Sequence, residues 1–214
     1  ISIKFIKIIY QKNSNNSFTL ALIQAAKKGL IEIVQFIIDN KCRIKYDDLT
    51  NYLFEIGSFD VDIFSLLMKI VSSENKKKML NSINSAILRK NKPLVKFLLN
   101  ENALTDHSLI RAVCSGDLEL VEMILEKNHS SSFINRCFKE GTALQISVEK
   151  NYFDIFKKLI SIPEINPSIY NRYFSTPLIA SIQQLNVEMF KMIVDFYGKD
   201  RIKQQKWQLE KALS

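Results

Sequence analysis

The stretch "STPLIASIQQLNVEMFKMIV", Ser175 to Val194, decides how this chain is read. Thr176 can cap a helix through its hydroxyl, Pro177 suits a first helical turn where no amide donor is needed, and Leu178 points to a core. From Val187 onward apolar residues recur at i, i+1, i+3 and i+4, which gives one wide apolar face on a short helix. Glu188 in its first turn suits the positive end of the helix dipole. The polar break at Gln184 to Asn186 therefore predicts two helices hinged there, not one.

Both halves recur along the chain. The second has relatives in "IEIVQFII" (31–38), "VDIFSLLM" (61–68), "KPLVKFLL" (92–99), "LELVEMIL" (118–125) and "FDIFKKLI" (153–160), spaced 26 to 35 residues apart. A partial copy, "IKFIKII" (3–9), precedes them. The first half has relatives in "FTLALIQAAKKG" (18–29), "HSLIRAVCSGD" (107–117) and "GTALQISVEKN" (141–151). These share a Leu followed by small or apolar pairs, Ala25/Ala26, Ala112/Val113, Ser147/Val148 and Ser181/Ile182, where a second helix can approach closely. Gly29, Gly116, Asn151 and Asn186 are read as the turn residues between the helices. Each unit is thus helix, tight turn, helix, and repetition at this period is the mark of stacked arrays.

A repeat of about 33 residues made of two short antiparallel helices, with Thr-Pro-Leu opening the first, resembles the ankyrin repeat. The match is closest in "TPLIASIQQLNVEMFKMIV", and "AAKKGLIEIVQFII" and "RAVCSGDLELVEMIL" carry it nearly as well. Units at 49–68 and 79–99 are degenerate. The family's His after Thr-Pro-Leu is replaced by Ile23, Ile110, Gln145 and Ile179, and the connectors "CFKEGT" (137–142) and "NRYFST" (171–176) depart from the family hairpin. Those before Leu49 and Leu109 are too short for hairpins, so loops and almost no β-sheet are expected. The resemblance implies an all-α solenoid of stacked helix-turn-helix units forming one array over 1–214. Its expected parts are a partial unit at 1–16, repeats at 17–46, 47–77, 78–104, 105–136, 137–170 and 171–200, and a cap or the start of a further repeat at 201–214.

Composition agrees with a helical array. Of 214 residues 47% are hydrophobic, while 5 Gly and 4 Pro are too few for turn-rich β architecture. The net charge of +8 is spread out, and only Lys76 to Lys78 are consecutive, so no dense phosphate-gripping arm is present. Cys42, Cys114 and Cys137 form no CxxC pair, which signals neither a disulfide framework nor a zinc site and fits a reducing compartment. An intracellular protein is expected, in the cytoplasm before the nucleus. No apolar run approaches the roughly 18 residues of a membrane span. From the start at Ile1 without a Met, a fragment or a trimmed chain is expected.

Candidates for chemistry are few. His107 and Cys114 lie two helical turns apart, roughly 10 Å, too far for a base and its nucleophile. His107 reads as a helix-start residue and Cys114 as a small core filler. Asp47 and Asp48 read as an N-cap pair, and Gly-rich phosphate loops, HExxH and GxSxG do not occur. The charge run "SSENKKKM" (72–79) reads as a solvated connector, or else as an anionic-partner or nuclear-import signal. Trp207 reads as a packing anchor. No enzyme, cofactor or metal site is expected.

Recognition of another protein is what the resemblance implies, on the concave face and loop tips of the array. The tip candidates are Phe138, Lys139, Arg172, Tyr173 and Phe174, because Arg and aromatic side chains give large contact area with few rotatable bonds. The alternative for Tyr173 and Phe174 is packing on the neighbouring tip. The inner-helix ends add Lys27, Lys28, Arg89, Lys90, Glu149, Lys150, Gln183 and Gln184. A monomer is expected, with a protein as partner. A nucleic acid or other polyanion is the second reading, and the recognition region of a larger enzyme the third.

Overall fold

The computed structural model describes residues 18–45, 49 and 60–204. The partial unit at 1–16, the Asp47/Asp48 pair, the connector immediately before Leu49, and Trp207 lie outside them. The chain divides into two compact units between Thr105 and Asp106. Among the described residues all regular structure is helical, apart from one antiparallel bridge between Phe138 and Gly141.

The first unit holds α1 (Thr19–Lys27), α2 (Ile31–Asp39), α3 (Val61–Ile70), α4 (Ser73–Leu80), α5 (Ile83–Leu88) and α6 (Lys92–Asn100). Helices α1 and α2 pack as one hairpin and α5 and α6 as another, with α3 lying against both α2 and α6. Their facing residues, among them Leu22, Val34, Ile37, Phe64, Leu67, Ile87, Leu94 and Leu98, are at most 1% exposed. Burial of that kind, about 25 cal/mol per Å² of apolar surface, holds together helices of 6 to 10 residues that are too short to persist alone.

The Ser72–Met79 run differs from its reading as a connector, since it forms most of α4. Glu74 and Lys78 pair across one turn at 3.4 Å, and Met79 is 1% exposed. Met79 is buried and Lys76, Lys78 and Leu80 are half-buried, so one side of a charged helix meets the core, a signal too small to show in a window of charges.

The second unit holds α7 (Ser108–Ser115), α8 (Leu118–Lys127), the single turn α9 (Ser131–Ile134), α10 (Ala143–Glu149), α11 (Phe153–Ile160), α12 (Pro177–Gln183) and α13 (Val187–Gln204, interrupted at Gly198). Inner helices α7, α10 and α12 stack in order, and outer helices α8, α11 and α13 stack behind them. This is the layered helix-turn-helix arrangement of an ankyrin-like solenoid, in which each unit buries its apolar face on its neighbours. The small pairs serve as expected: Ala112, Val113, Ser147, Val148 and Ser181 are at most 1% exposed, though Ile182 is only half-buried. The Ser147 and Ser181 hydroxyls each donate to the carbonyl three residues back, at 2.6 and 2.7 Å, so their burial leaves no hydroxyl unpaired.

Polar groups tie successive repeats together. The Asn135 carboxamide donates to the Glu164 carbonyl at 2.7 Å and accepts from the Asn166 amide at 2.7 Å. Asn186 donates to Asn151 Oδ1 at 2.6 Å, Lys158 pairs with Glu122 at 3.0 Å, and Arg136 pairs with Asp106. Thr176 caps α12 as read, accepting from the Ile179 amide at 3.3 Å, and Thr142 caps α10 in the same way, accepting from the Gln145 amide at 3.2 Å.

The turn between paired helices needs one left-handed residue. It is Gly29, Lys90, Gly116 and Asn151 in four of the helix pairs, with φ between 55° and 69°. In the last repeat it is Leu185, at φ 53°, and not Asn186. Asn186 is instead the N-cap of α13: its Oδ1 accepts from the Met189 amide at 2.9 Å, as Asn91 and Asp117 do for α6 and α8. Asn suits either position chemically, so its identity alone left the register open by one residue.

Candidate functional site

An open cleft of about 310 Å³ lies in the second unit, lined by Glu149 at the end of α10, Ile179 and Gln183 on α12, and Asn171, Tyr173, Phe174 and Ser175 of the preceding loop. The loop is shaped by one buried side chain. Asn171, 6% exposed, accepts through Oδ1 from the amides of Tyr173 and Ser175 at 2.9 and 3.1 Å. Its own amide donates to the Ser175 carbonyl, and its carbonyl accepts from the Phe174 amide. An Asx turn of this kind closes the loop without a β-ladder. Phe174 sits at φ 59°, a left-handed conformation unusual for an aromatic residue.

That closure leaves the loop's aromatics outside. Tyr173 is 64% exposed and Phe174 46%. The Arg172 guanidinium lies over the Tyr173 ring, 4.5 Å from its centroid, and donates to the phenol oxygen. Phe174 stacks on Tyr170 of the same connector, with centroids 5.7 Å apart. The residues support one another within one connector while Tyr170, Tyr173 and Phe174 stay 46 to 64% exposed, and rigid exposed aromatics are the usual anchors of recognition.

Glu149 is the charged group of the cleft. Desolvation pushes its carboxyl above the ordinary glutamate range, opposed by a hydrogen bond donated from Gln145 Nε2 at 2.9 Å and by the charge of Lys150. Among the described residues no Lys or Arg forms an ion pair with it. The Ser175 hydroxyl is buried and has no hydrogen-bond partner, as is Gln145 Oε1 behind Glu149.

The cleft gathers four of the candidate residues: Glu149, Tyr173, Phe174 and Gln183. Arg172 joins through Tyr173, while Lys150 and Gln184 are exposed beside it without lining it. Lys139 lies in the two-residue turn between Phe138 and Gly141 and is exposed. Phe138 is half-buried against His107, centroids 4.0 Å apart. Lys27, Lys28, Arg89 and Lys90 are exposed, but in the other unit. Asn171, Ser175 and Ile179 were missed as cleft residues. An Asn before an Arg-Tyr tip is a turn signal that could have placed Asn171, whereas Ser175 and Ile179 depend on how the loop folds over α12.

His107 starts α7 without making a side-chain cap, and its ring is engaged by Phe138. Cys114 is half-exposed, not fully buried as its reading as core filler required, and desolvation still raises its thiol pKa. The thiols of Cys42 and Cys137 are raised for the same reason. Among the described residues no group of three or more His, Cys, Asp or Glu could hold a metal, and no helix is long and apolar enough to cross a membrane.

The family model for ankyrin repeats (3 copies) matches residues 109–205. That span covers α7 to α13 and includes every residue lining the cleft. No curated protein matches the chain.

Proposed function

We propose, from the ankyrin repeats over 109–205, that this chain is a non-catalytic adaptor that binds a protein partner through the cleft and loop tips of its second unit. Ankyrin repeats generally mediate protein–protein interaction. The observation that carries the reading is the exposure of Tyr173 and Phe174 at the mouth of an open cleft, in a loop closed on Asn171 by backbone amides and not by their rings. In this reading the units 17–46, 47–77, 78–104, 105–136, 137–170 and 171–200 are copies of one repeat. Lys139, Lys150, Arg172 and Gln184 form the rim of the contact. The expected partner is a folded or extended protein segment, met by a monomeric chain.

Quantitative affinity capture from the native cell, run in parallel with the wild type and with the variant Arg172→Ala/Tyr173→Ala/Phe174→Ala, tests it. A defined set of proteins retained by the wild type should be lost from the variant, whose unfolding free energy stays within about 0.5 kcal/mol of wild type, as for other surface substitutions. Loss of several kcal/mol of stability with an unchanged set of bound proteins would show the aromatics to be packing groups and sink the assignment.

A second reading rests on a different observation: Lys27, Lys28, Arg89 and Lys90 in the first unit are all exposed. A polyanion, nucleic acid above all, would meet them, and its affinity would fall steeply with salt. Absence of any mobility shift with single- or double-stranded DNA or RNA at low salt removes that reading.

A further inference from the structure

The cleft combines features that select an occupant. Its single charged lining residue is Glu149, a carboxylate with no cationic partner within ion-pairing distance among the described residues. Beside it stand two aromatic rings, Tyr173 and Phe174, and the electron-rich face of an aromatic ring attracts cations. The Tyr173 ring already holds one guanidinium, that of Arg172, so its geometry accepts this group within the chain itself. At about 310 Å³ the space is at the small end of ligand pockets, roughly 300 to 1,000 Å³, and suits one long side chain better than a run of peptide. The Gln183 side chain supplies further hydrogen-bonding capacity in the lining. Two cations flank the site, Lys150 next to Glu149 in sequence and Arg172 on Tyr173, and neither pairs with the carboxylate.

We propose that this cleft receives the basic side chain of an arginine or lysine projecting from the protein partner. The ammonium or guanidinium pairs with Glu149 and its stem or plane lies against Tyr173 and Phe174. This rests on the protein-recognition reading and names the chemistry of the contact. The partner's cation supplies the direct ion pair that Glu149 lacks, and the exposed carboxylate in an open cleft is accessible to it. Glu149 thereby sets specificity, while the aromatics supply contact area.

Titration of the isotope-labelled chain with blocked single amino acids, followed by backbone amide NMR, tests it. Nα-acetyl-arginine methylamide and its lysine counterpart serve as probes, with the citrulline derivative as a neutral isostere. The expected result is saturable shifts at residues 149, 171–175 and 179–183 for the arginine or the lysine probe, or for both. Citrulline should produce none, and Glu149→Gln should weaken the cation probe by about tenfold or more, the scale of losing a charge-assisted pair. Equal response to citrulline, an unchanged titration with Glu149→Gln, or no response to either cation overturns the proposal. Folding of the variant is read from the same spectra. If proteins captured by the wild type are lost from the tip variant but bind Glu149→Gln normally, protein recognition stands and the basic occupant falls. If capture is indifferent to both variants, the recognition reading falls as well.

Discussion

Replacing Leu185 by Gly or Asn should stabilise the protein, and replacing Gly116 by Ala should destabilise it, although both occupy the same place in the repeat. Leu185 sits at φ 53° with 87% of its surface exposed. An L-residue with a Cβ pays about 1–2 kcal/mol in the left-handed region, and its exposed side chain returns almost no apolar burial. Leu185→Gly removes that strain but gives the unfolded chain extra freedom worth about 0.4–1 kcal/mol, so a net gain of about 0.5–1 kcal/mol is expected. Leu185→Asn tolerates the same conformation without the entropic offset and should gain about 1 kcal/mol. Gly116 has φ 69°, and a Cβ there would meet the Tyr152 ring at 3.0 to 3.3 Å. Gly116→Ala therefore meets both the backbone strain and a tight ring contact, for a loss of about 1–2 kcal/mol. Urea unfolding followed by helical circular dichroism reads both, as opposite shifts of the midpoint at constant slope. If Leu185→Gly and Leu185→Asn both lower the midpoint, or Gly116→Ala leaves it unmoved, the register argued for this turn is wrong.

Two further outcomes follow from the electrostatics. Glu149 has a raised pKa in the fold because its charged form is desolvated, so ionisation costs stability as pH rises from the ordinary glutamate range through the raised folded value. Glu149→Gln should therefore be more stable than wild type near pH 7, with the difference closing as pH falls below about 4; equal unfolding midpoints at both pH values would contradict it. The Asp106–Arg136 pair joins side chains that are 58% and 51% exposed, so a double-mutant cycle on Asp106→Ala and Arg136→Ala should give a coupling of about 1 kcal/mol or less that fades in 1 M salt. A coupling of several kcal/mol that survives salt would mean that the pair is desolvated and holds the repeats together.

The helices were legible because a period of 3.6 residues is a local property, and short apolar faces repeated at a fixed interval can be satisfied only by stacking. The Thr142 and Thr176 caps were legible for the same reason, since a cap bonds an amide three residues away. Where one residue type serves two neighbouring positions, local chemistry ran short. Asn186 fits a left-handed turn and an N-cap equally, and stacking of α13 on α12 and α11 put the strain on Leu185 instead. The Ser72–Met79 run was misread because the buried Met79 anchors a lysine-rich helix only when a core is there to receive it.

The sequence by itself determined the helix-turn-helix unit, the helical class and the presence of an aromatic tip at 172–174. What only the tertiary structure decided is which exposed residues meet. Glu149 and Phe174 are 25 residues apart, and Gln183 lies in the next repeat. They share one cleft because α10 and α12 stack directly and Asn171 folds the connector back over their ends. Recognition of a partner depends on such gathering across repeats, and no local pattern encodes it, because each repeat supplies only one wall.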